Sequence, residues 1–295
     1  MTSPGDWAWE ETLALYEAAD DISLFETGWI SERFDPTFSE LTGPPARSWM
    51  ILTALAKATR RIQLGIRLDS LHYYQVPTLG RTAHLAASLD VVSDGRLAMR
   101  LGADWEGDDL ASDPTAGGRI GAYFARLDEA CGALTWSLSG KDAPFRGKYV
   151  DLTSIPRLQT VQRPPPPLCI ESRDVMGTLK IAARHATEWT YLGRRVDEFV
   201  RLREILFGLC NDAGRDADAI TTSARLRLDT SGDLRPLLDR AAAFSCAGAD
   251  LGLIDFPAGV SLPSLEAIAE GLEDAGLGSE VRDNQARATG GPTWR

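Results

Sequence analysis

Several short alternating runs in this chain end on charged residues, and those residues are the ones that could do chemistry. In the run 62–69, Ile62, Leu64, Ile66 and Leu68 fall on one face and Gln63, Gly65, Arg67 and Asp69 on the other. The run 97–104 repeats the arrangement, with Leu97, Met99, Leu101 and Ala103 opposite Ala98, Arg100, Gly102 and Asp104. A period of two with one apolar face is a β-strand packed on one side. The polar face therefore points toward whatever the sheet encloses. At the end of an earlier run stand Glu32 and Arg33. Carboxylates such as Glu32, Asp69, Asp104 and Glu171 could serve as general acid or base. The same groups could be counter-charges for Arg67, Arg100, Arg225 or Arg227, because charges inside a sheet enclosure require partners. For Arg100 and Arg227, deeper in their strands, pairing is the favoured reading. His72 follows the run 62–69 and is the one His placed at the mouth, a candidate proton donor or ligand contact. Tyr73, Tyr74 and Trp105 could line a pocket by stacking or simply pack under loops.

The elements that must position these groups follow a regular order. After Arg67 comes a helical stripe, Leu79, Ala83, Ala86 and Ala87, then Ser93-Asp94-Gly95 with turn chemistry, then the next strand. That is one parallel crossover unit. Strands are expected at 28–34, 62–69, 97–104, 168–173, 188–193, 222–229 and 251–256, with helices between them. A first helix over 6–19 would use Asp6 as N-cap. Repeated strand–helix alternation implies parallel strands with right-handed crossovers, and ligands in such folds bind at the carboxyl ends of the strands. Seven strands are one short of the eight in a closed barrel. The missing one would precede the first helix, where only MTSPG stands. Either the true start lies upstream or the barrel is open or shortened at that edge. The expected organisation is a single barrel over 1–278 with a polar, disordered tail over 279–295. Residues 106–121, poor in apolar side chains, read as a lid or a long loop. The segment PFRGKYVDL reads as a hairpin-like insert.

Composition narrows the partners. The 295 residues carry a formal charge of −11, which argues against nucleic acid or anionic membrane as partner. Hydrophobic residues at 44% and charged residues at 25% are ordinary for a soluble globular protein. Cys131, Cys169, Cys210 and Cys246 are far apart and show no metal-ligand spacing; they read as buried thiols in a cytoplasmic protein. Three scattered His give no metal ligand set. His84 and His185 sit on helices and read as structural, and Trp29 and Trp189 as core.

ALAKAT-RRIQLG at 54–65, HLAASLDVVSDGR at 84–96, LGADW at 101–105, ARLDEA at 125–130, FRGKYVDL with VQRPPPP at 145–167, and TLKIAARHATEW at 178–189 together resemble the luciferase-like monooxygenase family. These are bacterial luciferase and oxidoreductases that use FMN or the deazaflavin coenzyme F-420. The resemblance implies an eight-stranded (β/α)8 TIM barrel with the cofactor at its carboxyl mouth, a homodimer, and a small-molecule substrate. It implies catalytic roles near Glu32, Asp69, His72 and Asp104, and cofactor contacts at Arg33, Arg67, Leu68, Tyr74, Trp105, Glu171, Ser172 and Arg173. The chain departs from the family pattern at the mouth. An acidic residue followed by His is replaced by Glu32-Arg33. A glycine nest after the fifth strand is replaced by Glu171-Ser172-Arg173-Asp174. The strained non-proline cis peptide of many members would fall at Arg67-Leu68, a bulky pair. Retained motifs belong to packing and turns, and altered ones to the mouth. Two expectations follow: cofactor binding through charge-assisted arginine contacts, or a barrel without a cofactor that acts as a non-redox enzyme, a binding protein or an inactive partner subunit.

Overall fold

The computed structural model describes residues 2–3, 8–32, 48–68, 76–102, 116–141, 144–152, 158–172, 176–228, 233–256 and 262–277. In chain order the elements are β1 (Thr2–Ser3), α1 (Trp9–Asp21), β2 (Thr27–Glu32), α2 (Ser48–Ala58), β3 (Gln63–Leu68), α3 (Val76–Val92), β4 (Leu97–Gly102) and α4 (Ala116–Leu138). There follow β5 (Phe145–Arg146), β6 (Asp151–Leu152), β7 (Leu168–Ser172), α5 (Met176–His185), β8 (Glu188–Tyr191) and α6 (Val196–Asp212). A 3₁₀ turn at Ala217–Ala219 precedes β9 (Thr221–Arg227), α7 (Arg235–Cys246), β10 (Leu251–Asp255) and α8 (Leu262–Asp274).

Eight parallel strands close a barrel in the order β1-β10-β9-β8-β7-β4-β3-β2. All seven strands expected from alternation are present, and the eighth is the shortened one. Thr2 is paired with Asp255 of β10 and Trp29 of β2, and Ser3 with Ile30, so two residues bridge the edge that seven strands alone would leave open. The first helix starts later than expected: Asp6 lies outside the described residues, and the N-cap position belongs to Ala8. The insert is an antiparallel β5–β6 ladder. The 279–295 tail and most of the 106–121 stretch also lie outside the described residues.

Strand alternation sorts side chains into two layers. Leu64, Ile66, Leu68, Leu97, Met99, Leu101, Leu168 and Ile170 face the helices and join the main core. A second, smaller apolar cluster, Trp29, Ala98, Cys169 and Leu253, lies apart from it, inside the barrel. The Ser93–Gly95 turn has both Asp94 (φ 56°) and Gly95 (φ 77°) in the left-handed region, which Asp and Gly tolerate best.

The motifs that carry the family resemblance fasten loops to this scaffold. Asp20 accepts the backbone N–H groups of Arg60, Arg61 and Ile62. Asp90, fully buried, accepts those of Val161 and Gln162 and the Gln162 side-chain amide. Glu129 accepts three successive N–H groups, Lys148 to Val150, and so holds the hairpin on α4. Arginines supply the complementary chemistry for orphan carbonyls at helix ends. Arg61 donates to Ala19, Asp20, Ile22 and Phe25. Arg96 donates to Ala56, Thr59, Ile62 and Ser93. Arg215 donates to Ala182, Ala183 and Ala186.

Asp128 of α4 ties that helix to α5, accepting from His185 Nε2 at 2.9 Å and Arg184 Nη1 at 2.8 Å. The hydrogen bond from His185 is the main cause that holds the Asp128 carboxyl below its ordinary value. A depressed carboxyl stabilises the fold above its unfolded value, near pH 4, and that contribution is lost as pH falls through the folded value. Urea unfolding of the wild type should therefore show stability dropping on the acid side of about pH 4. Asp128→Asn should lower stability at neutral pH and flatten the acid-side slope; an unchanged slope in the variant counts against the pairing.

Candidate functional site

The barrel interior is built from the inward residues of the strands. Trp29 of β2 lies across Gly65 of β3, where a Cβ would come within 2.2 Å of the indole. Only glycine permits that approach. The Arg100 guanidinium lies over the Trp29 ring, 4.0 Å from its centroid. Backbone, indole and guanidinium thus stack into a plug across the middle of the barrel, with Ala98, Cys169 and Leu253 around it.

Glu188 is the hub beside this plug. Its Oε1 accepts from Arg100 Nη2 at 2.9 Å, Ser223 Oγ at 2.7 Å and Thr190 Oγ1 at 3.1 Å. Its Oε2 accepts from the Cys169 thiol at 3.4 Å. One carboxylate therefore links β4, β7, β8 and β9. Burial, followed by the Glu188 charge, pushes the Cys169 thiol well up, so it is a hydrogen-bond donor here and no nucleophile.

Two further ion pairs lie toward the carboxyl ends of the strands. Arg67 Nε of β3 contacts Glu171 Oε1 of β7 at 2.5 Å, with the Arg67 side chain 14% exposed and Glu171 1%. Arg225 of β9 is paired with Asp255 of β10, each side chain about one-fifth exposed. The carboxyl mouth is therefore walled by guanidinium–carboxylate pairs that solvent partly reaches.

Of the residues singled out in the sequence, Arg67 and Glu171 are brought together at this mouth. Ser172 ends β7 beside them. Two candidates belong to the other layer. Glu32 is buried on the helix-facing side of β2, in step with Gly28 and Ile30, and its Oε2 accepts from the Ser48 backbone N–H at the start of α2 at 3.1 Å. That placement gives it the work of a helix cap. The Leu68 side chain packs in the helix-facing core. The cis peptide among the described residues is Arg163–Pro164, so the bulky Arg67–Leu68 pair is joined by an ordinary trans bond. Arg33, Asp69, His72, Tyr74, Asp104, Trp105 and Arg173 lie outside the described residues. Sequence reasoning misses Glu188, Thr190, Ser223 and Asp255. A signal for them is nevertheless present: Glu188 and Thr190 alternate with the core residues Trp189 and Tyr191, and Asp255 ends the strand that pairs with the one carrying Arg225.

A closed parallel barrel with polar groups at its carboxyl mouth is the architecture of (β/α)8 enzymes. The family model of luciferase-like monooxygenases matches residues 1–278, and the chain belongs to that family. No curated protein matches it. Among solved structures, a coenzyme F-420 dependent tetrahydromethanopterin reductase from Methanopyrus kandleri superposes with a TM-score of 0.71 at 15% identity, covering 92% of this chain and 96% of that one. A long-chain alkane monooxygenase gives 0.71 at 13% identity, covering 97% and 89%. A monooxygenase from Streptomyces bottropensis gives 0.63 at 18%, covering 90% and 93%. At such identities the likeness shows the fold.

The cap assignment for Glu32 has a direct test. Glu32→Ala should cost about 1 to 2 kcal/mol in urea unfolding, since it leaves the first turn of α2 without its acceptor. A neutral result would return Glu32 to the list of groups available for chemistry.

Proposed function

We propose that this protein is a luciferase-like oxidoreductase that takes FMN or coenzyme F-420 at the carboxyl mouth and acts on a small organic substrate, with guanidinium contacts in place of a glycine nest. The observation that carries the reading is the Arg67–Glu171 pair. It sits at the carboxyl ends of β3 and β7 with the guanidinium within reach of solvent.

The donor chemistry fits such a cofactor. A guanidinium offers five in-plane N–H donors, suited to a phosphate or to the carbonyl edge of a heteroaromatic ring. Bound FMN or F-420 supplies the electron or hydride chemistry. The chain's own groups have the remaining tasks. Arg67 holds the anionic or carbonyl edge. Glu171 fixes the Arg67 side chain and balances its charge. The Trp29–Arg100 plug closes the barrel beneath the mouth and keeps water from entering from below. In this reading Arg33, Ser172 and Arg173 add phosphate contacts, Tyr74 and Trp105 stack on the ring, and Asp69, His72 or Asp104 moves a proton to or from substrate.

One observation favours a second reading. Both pairs at the mouth, Arg67–Glu171 and Arg225–Asp255, already match cation to carboxylate. A barrel so balanced could act without a cofactor, as a non-redox enzyme, a binding protein or an inactive partner subunit.

The reading extends to assembly as a homodimer. The exposed residues of α2 are Met50, Thr53, Ala54, Lys57 and Ala58. Those of α3 from Leu79 onward are Arg81, His84, Leu85, Ser88 and Val91. In a chain with 42 acidic residues this face carries no exposed carboxylate, and Met50 is 69% exposed. A second copy related by a two-fold axis would cover it without repulsion between carboxylates. The reading also includes residence in the cytoplasm, in keeping with four cysteines that are all free thiols. No described helix is long and apolar enough to cross a membrane.

Titration of the purified protein with FMN and with F-420, followed by the cofactor's absorbance and fluorescence, should show saturable binding of one of them. The paired variant Arg67→Met with Glu171→Gln should weaken it at least about tenfold. Failure of both cofactors to bind selects the second reading. Light scattering should give the mass of a dimer, and Met50→Glu with Leu85→Glu should give a monomer. A monomeric wild type rejects the dimer.

A further inference from the structure

Arg100 is 1% exposed, yet its pairing accounts for only part of its donor capacity. Nη2 donates to Glu188, while Nε and Nη1 have no acceptor. The Trp29 ring does not supply one, because a cation–π contact satisfies the face of a guanidinium and its N–H groups lie in the plane. Glu188 cannot turn further toward Arg100, since it also accepts from Ser223, Thr190 and Cys169. Orphan donors in a dry interior each cost about 1 to 3 kcal/mol, and native interiors satisfy them with protein, water or ligand.

The unmet groups are donors and call for an acceptor, while the ion pairs around them, Arg100–Glu188 and Arg67–Glu171, are balanced in charge. Arg67 is the Cα partner of Arg100 on the neighbouring strand, so a second guanidinium projects inward beside it. On the carboxyl side of the plug the next inward positions are Ser31 on β2 and Gly102 on β4, both small. Ser31 is partly exposed. Ser31 and Gly102 therefore place no long side chain over Arg100.

We propose that the barrel interior contains an oxyanion site with Arg100 as its floor. It takes the carboxylate, or a comparable small oxyanion, of an organic acid inserted from the carboxyl mouth, whose oxygens accept the N–H groups that Glu188 leaves over. This site is a property of the chain alone and does not depend on FMN or F-420.

The test uses the full-length protein without added cofactor. Formate and acetate should raise its thermal midpoint saturably, whereas the neutral isosteres formamide and acetamide should not. In the variant Arg100→Met with Glu188→Gln, which removes both buried charges together, the affinity for formate should fall at least about tenfold. If that variant does not fold, Arg100→Lys, which keeps the charge but loses the planar donor set, should show the same loss. A crystal soaked in sodium formate should show a formate oxygen within about 3 Å of Nε or Nη1. Water alone at those atoms, equal responses to acids and amides, or undiminished binding by the variants would overturn the proposal. Because the cofactor titrations are separate, a protein that binds formate but neither cofactor keeps this site and loses the oxidoreductase reading, and the converse outcome does the reverse.

Discussion

Inside this barrel a charged pair, Arg100 with Glu188, occupies the level that layers of branched apolar side chains fill in most (β/α)8 folds. Taking two charges out of water is costly, and their mutual attraction compensates only when remaining donors and acceptors are satisfied. Glu188 meets that condition through hydrogen bonds from three other interior groups. The rest of the interior follows from it. Arg100 needs a flat, polarisable neighbour, and Trp29 supplies its ring face. Trp29 can lie flat only because position 65 is glycine. Above the plug the strand registers set the Arg67–Glu171 and Arg225–Asp255 pairs at the carboxyl mouth.

The two ends of the barrel are held by different contacts. Around the loops that lead into the strands, carboxylates such as Asp20 and guanidinium groups such as Arg61, Arg96 and Arg215 satisfy backbone groups that helix ends leave open. These contacts constrain residue type tightly, since each side chain serves several backbone atoms at once. At the carboxyl mouth the described side chains pair with one another, Arg67 with Glu171 and Arg225 with Asp255.

Alternation makes the strands legible from the sequence, and among the described residues of β3 and β4 it sorts inward from outward side chains. It puts Arg67 at the mouth and Arg100 deeper, as a paired structural charge, and the barrel holds both in those places. Glu32 is harder, because its strand carries a glycine and a tryptophan whose faces alternation alone does not rank. Its outward orientation becomes evident only once Tyr16 is seen against Gly28. Glu188 escapes notice because it begins its strand, where an acidic residue reads as a solvated strand end. Its role depends on Arg100, Ser223 and Cys169, which lie far away in the chain and meet only after the barrel closes. The closing strand, two residues long, is too short to leave any periodic signal.

Arg100 and Glu188 act as one buried unit, and the plug and the mouth above it depend on that coupling. A double-mutant cycle measures it directly, comparing Arg100→Met, Glu188→Gln and their combination with the wild type in urea unfolding. Each single substitution leaves its former partner buried with an uncompensated charge or an unmet acceptor, and should cost roughly 3 to 5 kcal/mol. The combination should cost clearly less than the sum, with a coupling of about 2 kcal/mol or more. Additive losses would mean that the two side chains are independent, and would contradict their role as the common support of the barrel interior.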